Sequence, residues 1–225
     1  NNMKRFTQAR DYLRKLFPTP RANQFAYYRG LTPVGAPELD NKDSGKNPFL
    51  PQWTRNPVRD METARSHWDN DKGYNVGVMT GEVSGLVVLD IDVPGVFDKF
   101  LETFPECRNT YIVRRNNAEE WKCHYYFRLD DFTPPSHNVK TTGWGDLMSN
   151  GRQVVAPPSV HYTGGVYEVV NDAEPMPFKY LRTGMRSAFR PASGPLITST
   201  ITGPWRGRNN HNQRNRSSTV RLHSG

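Results

Sequence analysis

The sequence predicts an α/β (α+β) domain with a mixed or antiparallel central sheet and flanking helices. Three observations carry this expectation. Leu86-Val87-Val88-Leu89 is continuously apolar and rich in branched side chains, the pattern of a central strand buried on both faces. Residues 6–17 and 96–104 repeat apolar side chains at three- and four-residue spacing, as a helix with one buried face does. From 109 to 169, short apolar or alternating runs are separated by Asn150-Gly151 and Gly164-Gly165, as strands are by tight turns.

The bulk numbers agree with one large domain plus an appendage. The chain has 225 residues, 35% apolar content, 12% aromatics and a formal charge of +8. All of the excess charge lies at the end. Residues 182–225 hold eight arginines, no lysine and no acid, which leaves 22 basic against 22 acidic residues upstream. The reading is one large domain over 1–186 and a basic, low-complexity tail or linker over 187–225, leading toward a further C-terminal module. A basic tail suits a polyanion such as nucleic acid, and equally suits a solvated end. No apolar run reaches the roughly 18 residues that cross a bilayer, so no membrane partner is expected. Two cysteines, Cys107 and Cys123, make no disulfide framework, and a reducing, cytoplasmic compartment is the simpler reading. Asn1-Asn2 precede Met3, which is read as the native start.

In chain order, the 6–17 helix places Phe6, Ala9, Leu13, Leu16 and Phe17 on one face, and Pro18 and Pro20 stop it. Residues 24–28 read as a short strand, and 30–51, rich in Gly, Pro, Asn and Asp, as a loop. In that loop Lys46, beside Gly45, is a cation within reach of a phosphate or simply a solvated lysine. Asp60 caps a helix over 60–68 with Ala64 and Trp68 on one face. A strand over 74–79 enters the tight turn Thr80-Gly81-Glu82-Val83-Ser84-Gly85. This is no Walker loop, since the Gly-Lys-Ser/Thr end is missing.

The central strand, read over 86–92, ends in Asp90-Ile91-Asp92. Side chains at i and i+2 leave a strand on the same face, so both carboxylates share one side. Two bare carboxylates that close repel unless a cation lies between them, and Mg²⁺ or Mn²⁺ is the natural occupant. Solvated carboxylates at a strand end are the alternative. A helix over 96–104 follows, then a strand over 109–113 and a polar loop beginning Arg114-Arg115. Alternation over 121–129 puts Lys122, His124, Tyr126 and Arg128 on one face, which suggests an anionic cleft or a solvated edge. Asp146 precedes the Asn150-Gly151 turn between two short strands. Pro157-Pro158 gives a rigid exit that holds Ser159 and His161, and residues 162–169 read as a hairpin.

Three pieces therefore occur in order: Leu89-Asp90-Ile91-Asp92; His124 followed by Tyr-Tyr-Phe-Arg; and Asp146 ahead of Gly-Arg-Gln-Val-Val-Ala-Pro-Pro-Ser-Val-His. This resembles the bifunctional primase–polymerase (Prim-Pol) family of archaeo-eukaryotic-type primases, carried by plasmids, phages and mobile elements, over roughly residues 5–180. The resemblance implies a primase-like (RRM-like) core and a prokaryotic, plasmid- or phage-encoded protein. It implies Asp90, Asp92 and Asp146 as a metal triad for two ions, Mg²⁺ or Mn²⁺. His124 would contact the triphosphate of the incoming nucleotide, with Arg152, Ser159, His161, Arg114 and Lys46 lining the same pocket. Where the family often has a small Ser/Gly turn before its histidine, this chain has Glu119-Glu120-Trp121-Lys122-Cys123, which makes Lys122 a candidate substitute. Gly207-Arg208-Asn209-Asn210 is similar to the opening of a helical domain that follows many such cores.

The implied activity is template-dependent nucleotidyl transfer on single-stranded DNA, with primer and dNTP or NTP substrates. A helicase module in the same full-length protein is a further implied partner. The chemistry matches the inventory: in-line attack on the α-phosphate needs carboxylate-held ions and cations for the departing pyrophosphate. A metal-dependent nuclease would use similar carboxylates, and a non-catalytic nucleic-acid-binding module would use the tail alone. A rolling-circle initiator needs a His-hydrophobe-His pair, which the histidines at 67, 124, 137, 161, 211 and 223 do not supply. A zinc site from Cys107, Cys123, His124 and His137 has no short ligand spacing beyond the adjacent Cys123–His124.

Overall fold

In the computed structural model the described residues are 30–58 and 60–184, together with Thr7. The expected 6–17 helix, the 24–28 strand, the 186/187 boundary and the basic tail lie outside them.

Among the described residues nine strands form two sheets. The smaller has the order β1-β2-β7, from β1 (Leu31–Val34), β2 (Asn75–Met79) and β7 (Gln153–Val155). The larger has the order β6-β3-β5-β4-β8, from β3 (Leu86–Ile91), β4 (Tyr111–Arg115), β5 (Cys123–Arg128), β6 (Asp146–Met148) and β8 (Tyr167–Asn171). Every pairing is antiparallel except that of β9 (Met176–Pro177), which runs parallel to the end of β5. Among the described residues the α-helices are few and short: α1 (Met61–Trp68), α2 (Phe97–Thr103), α3 (Val139–Thr142) and α4 (Lys179–Gly184). The chain is a mixed α/β domain built on antiparallel sheets, as the pattern predicts.

Strand β3 is central because its sequence is apolar on both faces. Leu86 and Val88 face one core, shared with Leu31, Val76, Val78 and Val155 of the small sheet. Val87, Leu89 and Ile91 face a second core with Phe100, Leu101 and Phe104 around α2, and with Phe178 and Leu181. The large sheet is therefore sandwiched, and each fully buried Val, Leu or Phe contributes about 1.5–3 kcal/mol. Helix α1 starts as expected: Asp60 Oδ1 accepts from the Thr63 amide at 2.7 Å. At its end Trp68 is fully buried and donates its indole N–H to the Asn75 carbonyl at 3.2 Å.

Four expectations are corrected. Strand β1 lies inside the stretch read as a loop, because a strand at a sheet edge tolerates Pro33, whose missing N–H costs no ladder bond there. Strand β4 runs on through Arg114 and Arg115, read as loop, because β8 pairs with both. The short strands flanking Asn150-Gly151 do not pair with each other: β6 pairs with β3 and β7 with β2, so this turn carries the chain between sheets. The alternating face of β5 is only partly polar, since Tyr126 is buried in the first core and exposed Arg128 donates to the Pro175 carbonyl. Among the described residues no helix is long and apolar enough to cross a membrane.

Candidate active site

Register builds the site. Asp90 is the direct partner of Asp146 on β6 and of His124 on β5, and His124 is the partner of Val113 on β4. Directly paired residues share a face, so Asp146, Asp90 and His124 form one row across three strands. The next row inward is apolar: Met148, Val88, Tyr126 and Tyr111. Two residues outward from Val113 on the same face stands Arg115, paired with Tyr167. Polarity thus rises along the strands from the core to a cleft at their ends.

That cleft encloses about 370 Å³. Asp90, Asp92 and His124 line it from the large sheet, together with Arg115, Lys122 and Tyr167. Gln153, Val154 and Val155 of β7 form the facing wall, and Lys46, His161 and Tyr162 arrive on loops. Lys46 is held there because the Gln153 amide donates to its carbonyl at 2.7 Å, while its ammonium lies 4.8 Å over the Tyr162 ring.

Asp90 Oδ1 lies 3.5 Å from His124 Nε2. Withdrawal from water raises the Asp90 carboxyl above the usual carboxylate range; the His124 charge opposes this, and the nearby Asp92 and Asp146 carboxylates add to it. Asp146 Oδ1 accepts from the Val139 amide at 2.7 Å, which anchors α3. The same lining carries cations. Burial, then the neighbouring Arg115, lowers the Lys46 ammonium. Burial, then Arg115, Lys46 and Lys122, push the His161 imidazole down to about 4. A neutral ring thus sits among three cationic side chains. Neither Asp90 nor Asp92 forms an ion pair with Lys46, Arg115 or Lys122 among the described residues.

Of the candidates from the sequence, Lys46, Asp90, Asp92, Arg114, Lys122, His124 and His161 line the cleft. Asp146 stands beside Asp90 in register. Arg114 borders the cleft, but its guanidinium donates to the Glu120 carbonyl at 3.2 Å, and its register partner Cys123 belongs to the opposite core. Two other candidates are not brought in. Arg152 is exposed outside the lining and engages Thr80 and Ser149 through its backbone. Ser159 is fully buried, where its hydroxyl accepts from the Val76 amide at 3.0 Å and so satisfies β2. Sequence reasoning missed Arg115, Gln153, Tyr162 and Tyr167. Only the strand parity of Arg115, had β4 been extended, carried a signal.

Among the described residues no group of three His, Cys, Asp or Glu side chains is clustered tightly enough to hold a metal by itself. Cys107 and Cys123 are free and buried. The all-oxygen set of Asp90 and Asp92, with Asp146 adjacent, does fit a hard cation. Mg²⁺ is commonly held by one or two carboxylates plus substrate phosphates and water, without a full protein cage. Withdrawal from water raises Asp90 first and the neighbouring carboxylates add to it; that added repulsion is what such an ion relieves.

A comparison with curated proteins gives no match. A family model described as Prim-Pol, bifunctional DNA primase/polymerase, N-terminal, matches residues 9–179.

Proposed function

The chain belongs to the bifunctional DNA primase/polymerase family, and from that premise we propose that it is a template-dependent nucleotidyltransferase that makes primers on single-stranded DNA and extends them. One observation carries the reading: a single cleft sets the carboxylates Asp90 and Asp92 beside His124, and brings Lys46, Arg115 and Lys122 into the same lining. A nucleoside triphosphate with its divalent ion needs both halves, acid for the ion and base for the phosphates.

In this reading Asp90 and Asp92, with Asp146 behind them, hold Mg²⁺ or Mn²⁺. When bound, such ions favour attack of a 3′-hydroxyl on the α-phosphate and stabilise the leaving pyrophosphate. The residues themselves position and neutralise. His124, fixed against Asp90, donates to a phosphate oxygen. Lys46, Lys122 and Arg115 offset the charge of the triphosphate tail, in a partly water-excluded site where that attraction is stronger than in bulk water. The apolar Val154–Val155 wall excludes water from the far side.

The test is incorporation of labelled nucleotide on a single-stranded template with Mg²⁺ or Mn²⁺, with and without primer. Products in both reactions support the full reading, and products only with primer restrict it to a polymerase. Degradation of the template without synthesis would instead favour a metal-dependent nuclease.

A further inference from the structure

Arg115 was not legible as a functional residue, yet two side chains hold it in the cleft. Its Nη1 lies 3.0 Å from His161 Nδ1 and 3.3 Å from Thr163 Oγ1. A guanidinium can only donate, so Nδ1 is the acceptor, the ring proton is on Nε2 and the imidazole is neutral. Thr163 Oγ1 also lies 2.8 Å from Nδ1 and accepts from Asn117 Nδ2 at 3.2 Å. The hydroxyl thus touches three side chains, those of Arg115, His161 and Asn117.

Two loops are fastened to make this contact. Asn117 Nδ2 donates to the Thr163 carbonyl at 3.2 Å. The amide of Val166 donates to Asn116 Oδ1 at 3.0 Å, and the amide of Asn116 to the Val166 carbonyl at 2.9 Å. The loops meet closely because Gly165 has no side chain, and a Cβ there would collide with the Asn117 amide group. The His161 ring is only 5% exposed and packs on Tyr162 at 4.1 Å between centroids. Every hydrogen bond of the ring is made through Nδ1, to Arg115 and to Thr163. Both bonds of Arg115 use Nη1, which leaves the rest of its planar fork to the cleft it lines.

We propose that His161 and Thr163 are positioning residues that hold Arg115 as a preformed site for a condensed phosphate, pyrophosphate or a triphosphate tail, and that this site takes its anion without a divalent metal. The proposal rests on the nucleotide reading of the cleft and adds that the anion half is assembled independently of the carboxylate half. It reassigns His161 from phosphate contact to support for the group that makes the contact.

Inorganic tripolyphosphate, titrated calorimetrically into the whole chain in EDTA, tests it. Wild type is expected to bind. Arg115→Ala should weaken binding about ten-fold or more, the worth of a charge-assisted bond. His161→Phe, which keeps the ring but loses the acceptor, should weaken it comparably, and His161→Gln should restore most of it. The double variant Arg115→Ala/His161→Phe should bind no worse than Arg115→Ala alone. Additive losses would mean that His161 touches the anion itself, and would overturn the proposal. So would absence of wild-type binding in EDTA, or unchanged binding by His161→Phe. If His161→Phe fails to fold, Thr163→Val removes the bridging hydroxyl and gives the same reading. Metal-free binding with this pattern, in a chain that incorporates no nucleotide, would keep the proposal and sink the polymerase reading. Incorporation without metal-free binding would do the reverse.

Discussion

Asp90 and His124 face each other directly across β3 and β5, with Oδ1 3.5 Å from Nε2 in the lining of the cleft. Asp90 also stands beside Asp92 and Asp146, while the His124 ring lies 5.9 Å from the Tyr167 ring in the same cleft lining. Asp90 is consequently in tension: burial and two carboxylates disfavour its charge, and His124 and Arg115 favour it.

That tension makes Asp90→Asn a stabilising change in EDTA. The melting temperature should rise, by about 2–4 °C for each kcal/mol of repulsion relieved in a domain of this size. Millimolar Mg²⁺ or Mn²⁺ should raise the melting temperature of wild type and leave that of Asp90→Asn/Asp92→Asn unmoved. An equal metal response from both proteins would place the ion elsewhere.

His124→Ala should act on nucleotide affinity. Loss of one donor to a charged phosphate raises the nucleotide KM about 10- to 100-fold. The turnover number should change far less, because the residue holds no reacting atom. Steady-state kinetics at saturating template separates the two, and a fall in kcat with KM unchanged would contradict the phosphate role.

Gly145 sets the distance between the carboxylates. A Cβ at this position would run into the Asp90 carbonyl and lie 3.3 Å from the Ile91 Cα, both backbone atoms that cannot swing away. Gly145→Ala should therefore push β6 off β3, cost about 1–3 kcal/mol by denaturant unfolding and displace Asp146 from Asp90. Full activity with wild-type stability would show that this approach is not needed.

His161 should leave a mark on acid stability. Its imidazole falls from the ordinary 6.5 to about 4 in the folded chain, through burial first and then Arg115, Lys46 and Lys122. The unfolded chain therefore binds this proton more readily than the folded one, so stability rises with pH wherever the two differ. The contribution is complete above 6.5 and is lost as pH falls from 6.5 toward 4. His161→Gln should lack that component, so its stability relative to wild type should improve as pH is lowered through this window. Parallel pH profiles would contradict a neutral, buried His161.

The carboxylate half of the site was legible because it depends only on local rules. An apolar run that ends in Asp-Ile-Asp must aim both acids one way, and an antiparallel neighbour rich in aromatics can bring His124 to their side. The cationic half was not legible in the same manner. Which of Arg114 and Arg115 faces the cleft depends on where β4 ends, and that is set by pairing with β8, more than 50 residues away in sequence. Ser159 looked like a site residue because its rigid Pro-Pro approach is visible, whereas its partner, the Val76 amide, is fixed only by the fold. Lys46 reaches the cleft through the Gln153 amide on its carbonyl, a bond between residues 107 apart in sequence. Strand β1 escaped notice because Pro33 and its Gly-rich surroundings read as loop until the sheet edge is known.

The central claim is that the row from Asp146 through Asp90 to His124 serves template-directed nucleotidyl transfer. Extension of a labelled primer on single-stranded DNA, by wild type and by Asp90→Asn/Asp92→Asn in parallel, tests it most directly. Wild type should show metal-dependent, template-complementary extension and the double variant none, with both proteins folded by circular dichroism. Retained extension by the folded double variant, or template degradation in place of extension by wild type, would contradict it.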